Sequence, residues 1–203
     1  MPGPYLPYDA IGTLAVTALA VMGTPGPATI SLTAAGSAYG VRRCLGYLAG
    51  IIAGTWAVLL GVASGITAAL LAVPAVRPAL IAVGAGYILW LAYHIATAPA
   101  LAEQAGDVLP PSAAAGALLG VANPKAWVAI AAVFASARLS SAAAADAAAK
   151  VAVLAALIVI INATWLAAGA SLAPVLRDPR RARIVNPGLA ALLVLAAALA
   201  VLR

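Results

Sequence analysis

Six long apolar runs alternate with short polar breaks along the chain. They cover about 11–37, 45–72, 78–98, 113–135, 147–172 and 184–202. Each is near the ~20 residues that a helix needs to cross the hydrocarbon core of a bilayer. Ala and Leu dominate on every side of these runs. The alternating polarity in ~10-residue units that marks a membrane β-strand is missing. The pattern predicts an all-α integral membrane protein with six transmembrane helices, organised as one membrane domain over 1–203.

Composition sharpens this picture. Of 203 residues, 66% are hydrophobic and 8% charged, with a mean hydropathy of +1.11. A soluble domain is about 45–50% apolar and about 25% charged, so this chain has too little polar surface to cover a water-soluble fold. Disorder and nucleic-acid binding are excluded on the same ground. The lipid bilayer is the expected surrounding. The net charge of +6 then belongs to loops. Arg42 and Arg43 follow the first run, and Arg177, Arg180, Arg181 and Arg183 follow the fifth. The opposite side carries Arg77, Arg138, Lys150 and Arg203. This bias places both termini outside. With no Lys or Arg before Arg42, the first run is expected to be a retained span and not a cleaved signal.

Chemistry is scarce. Cys44 and His94 are single, so an internal disulfide, a Cys/His metal site, haem and iron–sulfur ligation are not expected, and no cofactor is. The informative feature is an internal repeat. The first run contains Gly23-Thr24-Pro25-Gly26-Pro27, and the fourth contains Gly120-Val121-Ala122-Asn123-Pro124-Lys125. In both, a glycine stands four positions before the final proline. Thr55-Trp56 and Thr164-Trp165 form a weaker echo in the second and fifth runs. Three spans separate the matching members, so the halves, about 9–98 and 113–203 joined by a loop at about 99–112, would run in opposite directions. That is the arrangement of inverted-repeat transporters.

A proline inside a helix removes a donor, clashes with the preceding turn and costs about 3 kcal/mol. In lipid, the freed carbonyls need partners or a wet cavity. Helices one and four are therefore expected to break at Pro25-Gly26-Pro27 and Asn123-Pro124, deep in the membrane. The half-helices that follow would turn free N–H groups toward an anionic group such as a carboxylate. A packing kink is the plainer alternative.

Lys125 stands near the middle of its run, where a charge costs roughly 2.5–3.5 kcal/mol and normally faces a cavity. It would act as counter-ion to a substrate carboxylate or phosphate, or else snorkel to the cytoplasmic surface. Asn123 and Asn162 would bond a substrate or join two helices. Thr24, Thr29, Ser31, Thr33 and Thr55 can bond back to their own helix. Gly46, Gly50 and Gly54 suit close helix packing, with a homodimer as the other use. Tyr87, Trp90 and Tyr93 read as an interfacial belt. His94 beside them is structural or, alternatively, a proton relay. Asp9 should be solvated.

At Thr24-Pro25-Gly26-Pro27 and Asn123-Pro124-Lys125 the chain resembles the lysine-exporter (LysE/RhtB) family of amino-acid efflux translocators. The likeness continues through Gly46, Gly50 and Gly54 and through Gly86-Tyr87-Ile88-Leu89-Trp90-Leu91. It implies a secondary exporter of amino acids or related small metabolites in the bacterial cytoplasmic membrane, working by alternating access with protons as coupling ion. With the breaks, the mid-run lysine and the buried amides, the candidate substrate site comprises Thr24, Pro25, Gly26, Pro27, Thr55, Asn123, Pro124, Lys125 and Asn162. Two departures stand out. Many members have an amide or acid where this chain has Ala28, and an acid where it has Thr55. A neutral amino acid is then a better expectation than lysine. Two other classes stay open: a structural subunit without transport, which would survive replacement of both broken motifs, and an intramembrane enzyme, which would turn over substrate without a gradient.

Overall fold

The computed structural model describes residues 8–65, 109–172 and 178–202, with Pro174 and scattered positions between 78 and 97. Parts of the third run, Tyr87 and His94 among them, lie outside the described residues, as do Arg77, Arg177 and positions 99–108 of the connecting loop.

Among the described residues every regular element is an α-helix. The first run forms α1 (Tyr8–Met22) and α2 (Pro27–Arg43), and the second forms α3 (Leu45–Ala63). The fourth forms α4 (Ala113–Ala122) and α5 (Pro124–Ser136). The fifth is α6 (Ala143–Ser171) and the last is α7 (Pro179–Leu202). α3 and α6 are continuous and apolar enough to cross a membrane. The pairs α1–α2 and α4–α5 are long enough only together, and they bend by 69° and 59°. The 29 residues of α6 span about 43 Å at 1.5 Å per residue, more than the ~30 Å hydrocarbon core. Its first turns therefore extend beyond the apolar slab or the helix tilts.

Local chemistry sets the helix starts. Ser112 caps α4, its hydroxyl accepting from the Ala115 N–H at 3.2 Å. Pro27 and Pro124 each stand at the first helical position, where the missing N–H costs nothing. Gly40, at φ 77, interrupts α2 just before Arg42 and Arg43. That left-handed backbone is open to glycine at no steric cost.

Two seams hold the helices together. α3 lies against α4 with backbone nearly touching backbone. A Cβ on Gly50 would strike the carbonyl of Ala113, and one on Gly54 that of Ala117. From the other side, Gly116 and Gly120 face the carbonyls of Tyr47 and Ile51. α2 lies against α6 in the same manner, Gly36 on Leu166 and Gly169 on Thr33. Glycine at these points lets helices approach closely enough for dispersion and Cα–H contacts, the main cohesion available in lipid. The expected glycine ladder is thus two-thirds right. Gly50 and Gly54 pack internally, whereas a Cβ on Gly46 meets no described atom within 4 Å, because Gly50 already faces Ala113, the first residue of α4.

Bulkier residues fill the rest. One cluster joins Ile30, Leu32, Tyr47, Ile51, Leu119 and Leu166. A second joins Leu14, Val58, Ile130, Val133, Leu154 and Ile158. Lys150, one of the charges counted opposite Arg42 and Arg43, sits in the second turn of α6, 6% exposed, paired with Asp146 at 2.8 Å. Its ammonium lies 5.0 Å from the centre of the Phe134 ring. Asp146 also accepts from the Leu139 and Ser140 N–H groups. The i, i+4 spacing on one helix face brings the charges together and clasps the α5–α6 turn.

Candidate functional site

The two breaks face each other across one cavity. Their freed carbonyls are matched almost one by one. At the first break, the Thr24 hydroxyl donates to the Val21 carbonyl at 2.8 Å. The Trp165 indole N–H, from α6, donates to the Gly23 carbonyl at 3.2 Å. The Lys125 ammonium, from the other break, donates to the Thr24 carbonyl and lies 3.4 Å from that of Pro25. The Thr29 hydroxyl accepts from the Gly26 N–H at 2.8 Å and donates to its carbonyl at 3.1 Å. At the second break, the Asn123 carboxamide oxygen accepts from the Lys125 N–H at 3.2 Å. The Trp127 indole N–H donates to the Val121 carbonyl at 2.7 Å. Non-helical backbone at membrane depth requires such repair, because an unpaired carbonyl there costs several kcal/mol.

The cavity is lined by Met22, Gly26, Ala28 and Thr29 of the first break, Asn123, Lys125, Ala126, Ala129 and Ile130 of the second, Thr55 of α3, and Ile158, Ile161 and Asn162 of α6. It offers about 50 Å³ to the centres of water-sized molecules. At about 10–15 Å³ per water by that measure, a few waters or the polar head of a small solute fit. Polar groups are few and buried. Thr29, Thr55, Asn123 and Asn162 are each less than 8% exposed. Among the described residues, Lys125 is the one charged side chain in the lining.

Of the nine site residues expected from sequence, Gly26, Thr55, Asn123, Lys125 and Asn162 share this lining. Thr24, Pro25, Pro27 and Pro124 shape the breaks instead. Thr24 and Pro25 are exposed, and their contribution is the pair of carbonyls under Lys125. The amide of Asn162 spends its NH2 on the Ile158 carbonyl of its own helix at 2.8 Å, which leaves its carbonyl oxygen for the cavity side. The threonines and Ser31 all bond back to carbonyls three or four residues earlier. Thr33 also reaches the Trp165 carbonyl at 3.3 Å.

Two residues carry more than the sequence reading gave them. Thr29 belongs to the cavity, and its place three residues after Gly26, at the start of a helix, was the available signal. Trp165 closes the first break. The echo that flagged it is uneven, since Thr55 is buried while Thr164 is exposed, and Trp56 bonds the Ala155 carbonyl and not a break. The two Thr-Trp pairs thus hold different roles. The belt residues Trp90 and Tyr93 are exposed. The single cysteine is fully buried, and its Sγ–H donates to the Ala35 carbonyl at 3.3 Å.

A cysteine/O-acetylserine efflux protein of Salmonella choleraesuis is 45% identical over 83 residues, 40% of this chain and 42% of the relative. Its Salmonella typhimurium counterpart gives the same figures, and that of Salmonella typhi is 44% identical over 82 residues. The matched stretch thus spans less than half the length of these relatives. No solved structure is significantly similar. The family model that matches residues 19–203 describes translocators of the LysE type, membrane carriers and not enzymes. On a match over nearly its whole length, joined to helices that break where the family motifs stand, the chain belongs to the LysE type translocator family.

Proposed function

We propose that the protein exports small neutral amino acids, of the size and polarity of cysteine or O-acetylserine, across the bacterial cytoplasmic membrane. Six spans would form two inverted three-helix halves, with both termini outside and α1–α2 and α4–α5 as matching broken helices. One half rocks against the other to open the cavity to each side in turn. Protons supply the driving force.

One observation carries this reading: both proline breaks open on a single cavity, and Lys125 of one break holds carbonyls of the other. The starts of α2 and α5 also meet there, and their positive dipole ends favour a carboxylate. Thr55 and the amide oxygens of Asn123 and Asn162 provide neutral acceptors for the rest of a zwitterion. No carboxylate lines the cavity among the described residues, which disfavours a cationic side chain such as that of lysine. The names of the relatives agree with a small uncharged side chain.

The test is export of radiolabelled L-cysteine and O-acetyl-L-serine from proteoliposomes under an imposed pH gradient. Accumulation against concentration that collapses with the gradient supports the proposal. Absence of gradient-dependent flux across a panel of amino acids refutes it.

A further inference from the structure

The position of the Lys125 ammonium has a consequence for coupling. Its Nζ is held by neutral oxygens, the carbonyls of Thr24 and Pro25. These are the backbone acceptors that an unwound helix offers to a cation. A substrate whose carboxylate docks at the helix starts of α2 and α5 would need acceptors for its own ammonium a few ångströms away. The lysine already occupies such a seat. Ammonium for ammonium, the two groups have the same donors and the same demand.

We propose that Lys125 is the proton-coupling group: its protonated side chain and the α-ammonium of the substrate compete for the carbonyls of Thr24 and Pro25, so that one proton is exchanged for one substrate. This rests on the transporter reading and deepens it. On the cytoplasmic side, a zwitterionic substrate enters as an Nζ–H bond of Lys125 breaks and the proton passes to cavity water. The neutral amine then withdraws from the carbonyls and the substrate ammonium replaces it. On the outer side the substrate leaves, and water returns a proton to Nζ. Each cycle moves one substrate out and one proton in. No carboxylate is needed, in keeping with a cavity lining that holds none among the described residues.

The surroundings permit this. Lysine can lose its proton in a protein, whereas arginine cannot. The elements packed against α5 are α1, α3 and α7. On α1 the titratable groups are Tyr8 and Asp9, exposed at its far end. On α3 the group is Tyr47, which donates to Ser31 at 3.2 Å. On α7 they are Arg180, Arg181 and Arg183, all exposed. α2 and α6 complete the cavity wall. Tyr39, Arg42 and Arg43 stand at the opposite end of α2, and Asp146 and Lys150 are paired with each other at the far end of α6. None of these lines the cavity. Space also permits it, since a Cβ on Gly26 would lie 2.6 Å from the Lys125 Cδ. Glycine at that position gives the lysine stem its path to the carbonyls.

The experiment measures L-cysteine affinity for purified wild-type protein from about pH 5.5 to about 7.5, where the free amino acid keeps one charge state. Competition by one proton weakens binding by close to tenfold for each unit the pH falls. N-acetyl-L-cysteine, which has no ammonium, should bind with no such slope. Lys125→Met should remove the slope and, in proteoliposomes, retain cysteine–cysteine exchange while losing accumulation driven by a pH gradient. Lys125→Arg, permanently charged, should bind cysteine at least tenfold more weakly at every pH. A flat wild-type profile, an equal slope for N-acetyl-L-cysteine, or gradient-driven accumulation by Lys125→Met overturns the coupling role while leaving export in place. If the wild type moves no amino acid at all, the transporter reading falls, and the coupling role with it. The wild-type profile decides the matter even if a variant fails to insert.

Discussion

The seam between α3 and α4 makes a prediction whose sign reverses between two glycines. A Cβ on Gly120 would lie 2.7 Å from the Ile51 carbonyl oxygen, 2.9 Å from the Thr55 nitrogen and 3.0 Å from the Gly54 Cα. Ordinary contact begins near 3.4 Å. All three neighbours are backbone, so no rotamer change relieves the clash, and the helices must part by roughly half an ångström or more. Overpacking of this kind costs about 1–3 kcal/mol, and a rigid obstacle puts Gly120→Ala toward the upper end. The better helix propensity of alanine offsets about 0.5–1 kcal/mol. The net loss is about 1–2 kcal/mol, or roughly 2–8 °C in Tm for a chain of this length. Because Thr55 lines the cavity, transport should fall as well. In Gly46→Ala the added methyl meets open space, so the propensity term stands alone and Tm should hold or rise slightly. Both variants are compared with wild type by thermal unfolding in one detergent, under the same conditions. If Gly120→Ala is as stable as Gly46→Ala, the close approach of α3 to α4 is wrong.

Three further outcomes follow from particular contacts. Trp165→Phe keeps the ring but leaves the Gly23 carbonyl without its donor, which should cost about 1–3 kcal/mol by thermal unfolding and reduce export. Burial pushes the Cys44 thiol up to about 11, so almost none is thiolate near neutral pH. A maleimide should label it slowly in folded protein and fully after denaturation; rapid labelling of folded protein would contradict its burial. Lys150→Met strands the Asp146 carboxylate and should destabilise by up to about 3 kcal/mol, whereas Asp146→Asn with Lys150→Met, which removes the unpaired charge but keeps an oxygen for the Leu139 and Ser140 N–H groups, should recover much of that loss.

Much of the architecture could be read from the chain alone. Long apolar runs in lipid have few solutions, and proline removes a donor from the helix interior, so α1–α2 and α4–α5 break where Pro25-Gly26-Pro27 and Asn123-Pro124 predict, whereas α7 carries Pro187 without a break. Five of the nine expected site residues share a cavity for the same reason: polar groups at membrane depth have nowhere else to go. What escaped the sequence depends on where helices start and how they are rotated. Gly46 and Gly50 are four residues apart and nominally on one face, yet only Gly50 meets α4, because Gly50 already faces Ala113, the first residue of α4, and Gly46 lies a turn beyond that start. Thr55 and Thr164 look equivalent, yet one lines the cavity and the other is exposed. Lys125 was legible as a cavity residue, but its partners were not. Carbonyls leave no trace in residue identity, so its contact with the other break appears only once both breaks are placed.

The central claim is that the two breaks meet, and proximity cross-linking tests it most directly. In a Cys44→Ala background, Gly26→Cys is combined with Lys125→Cys, and a protease site in the 99–112 loop separates the halves after oxidation. The Gly26 Cβ position lies 2.6 Å from the Lys125 side chain, so a short thiol cross-linker should hold the halves together in high yield. Gly26→Cys with Val128→Cys, where Val128 is 69% exposed on another face of α5, should give little product. Equal yields from both pairs, or none from the first while each cysteine reacts singly, would mean that the breaks do not face one another.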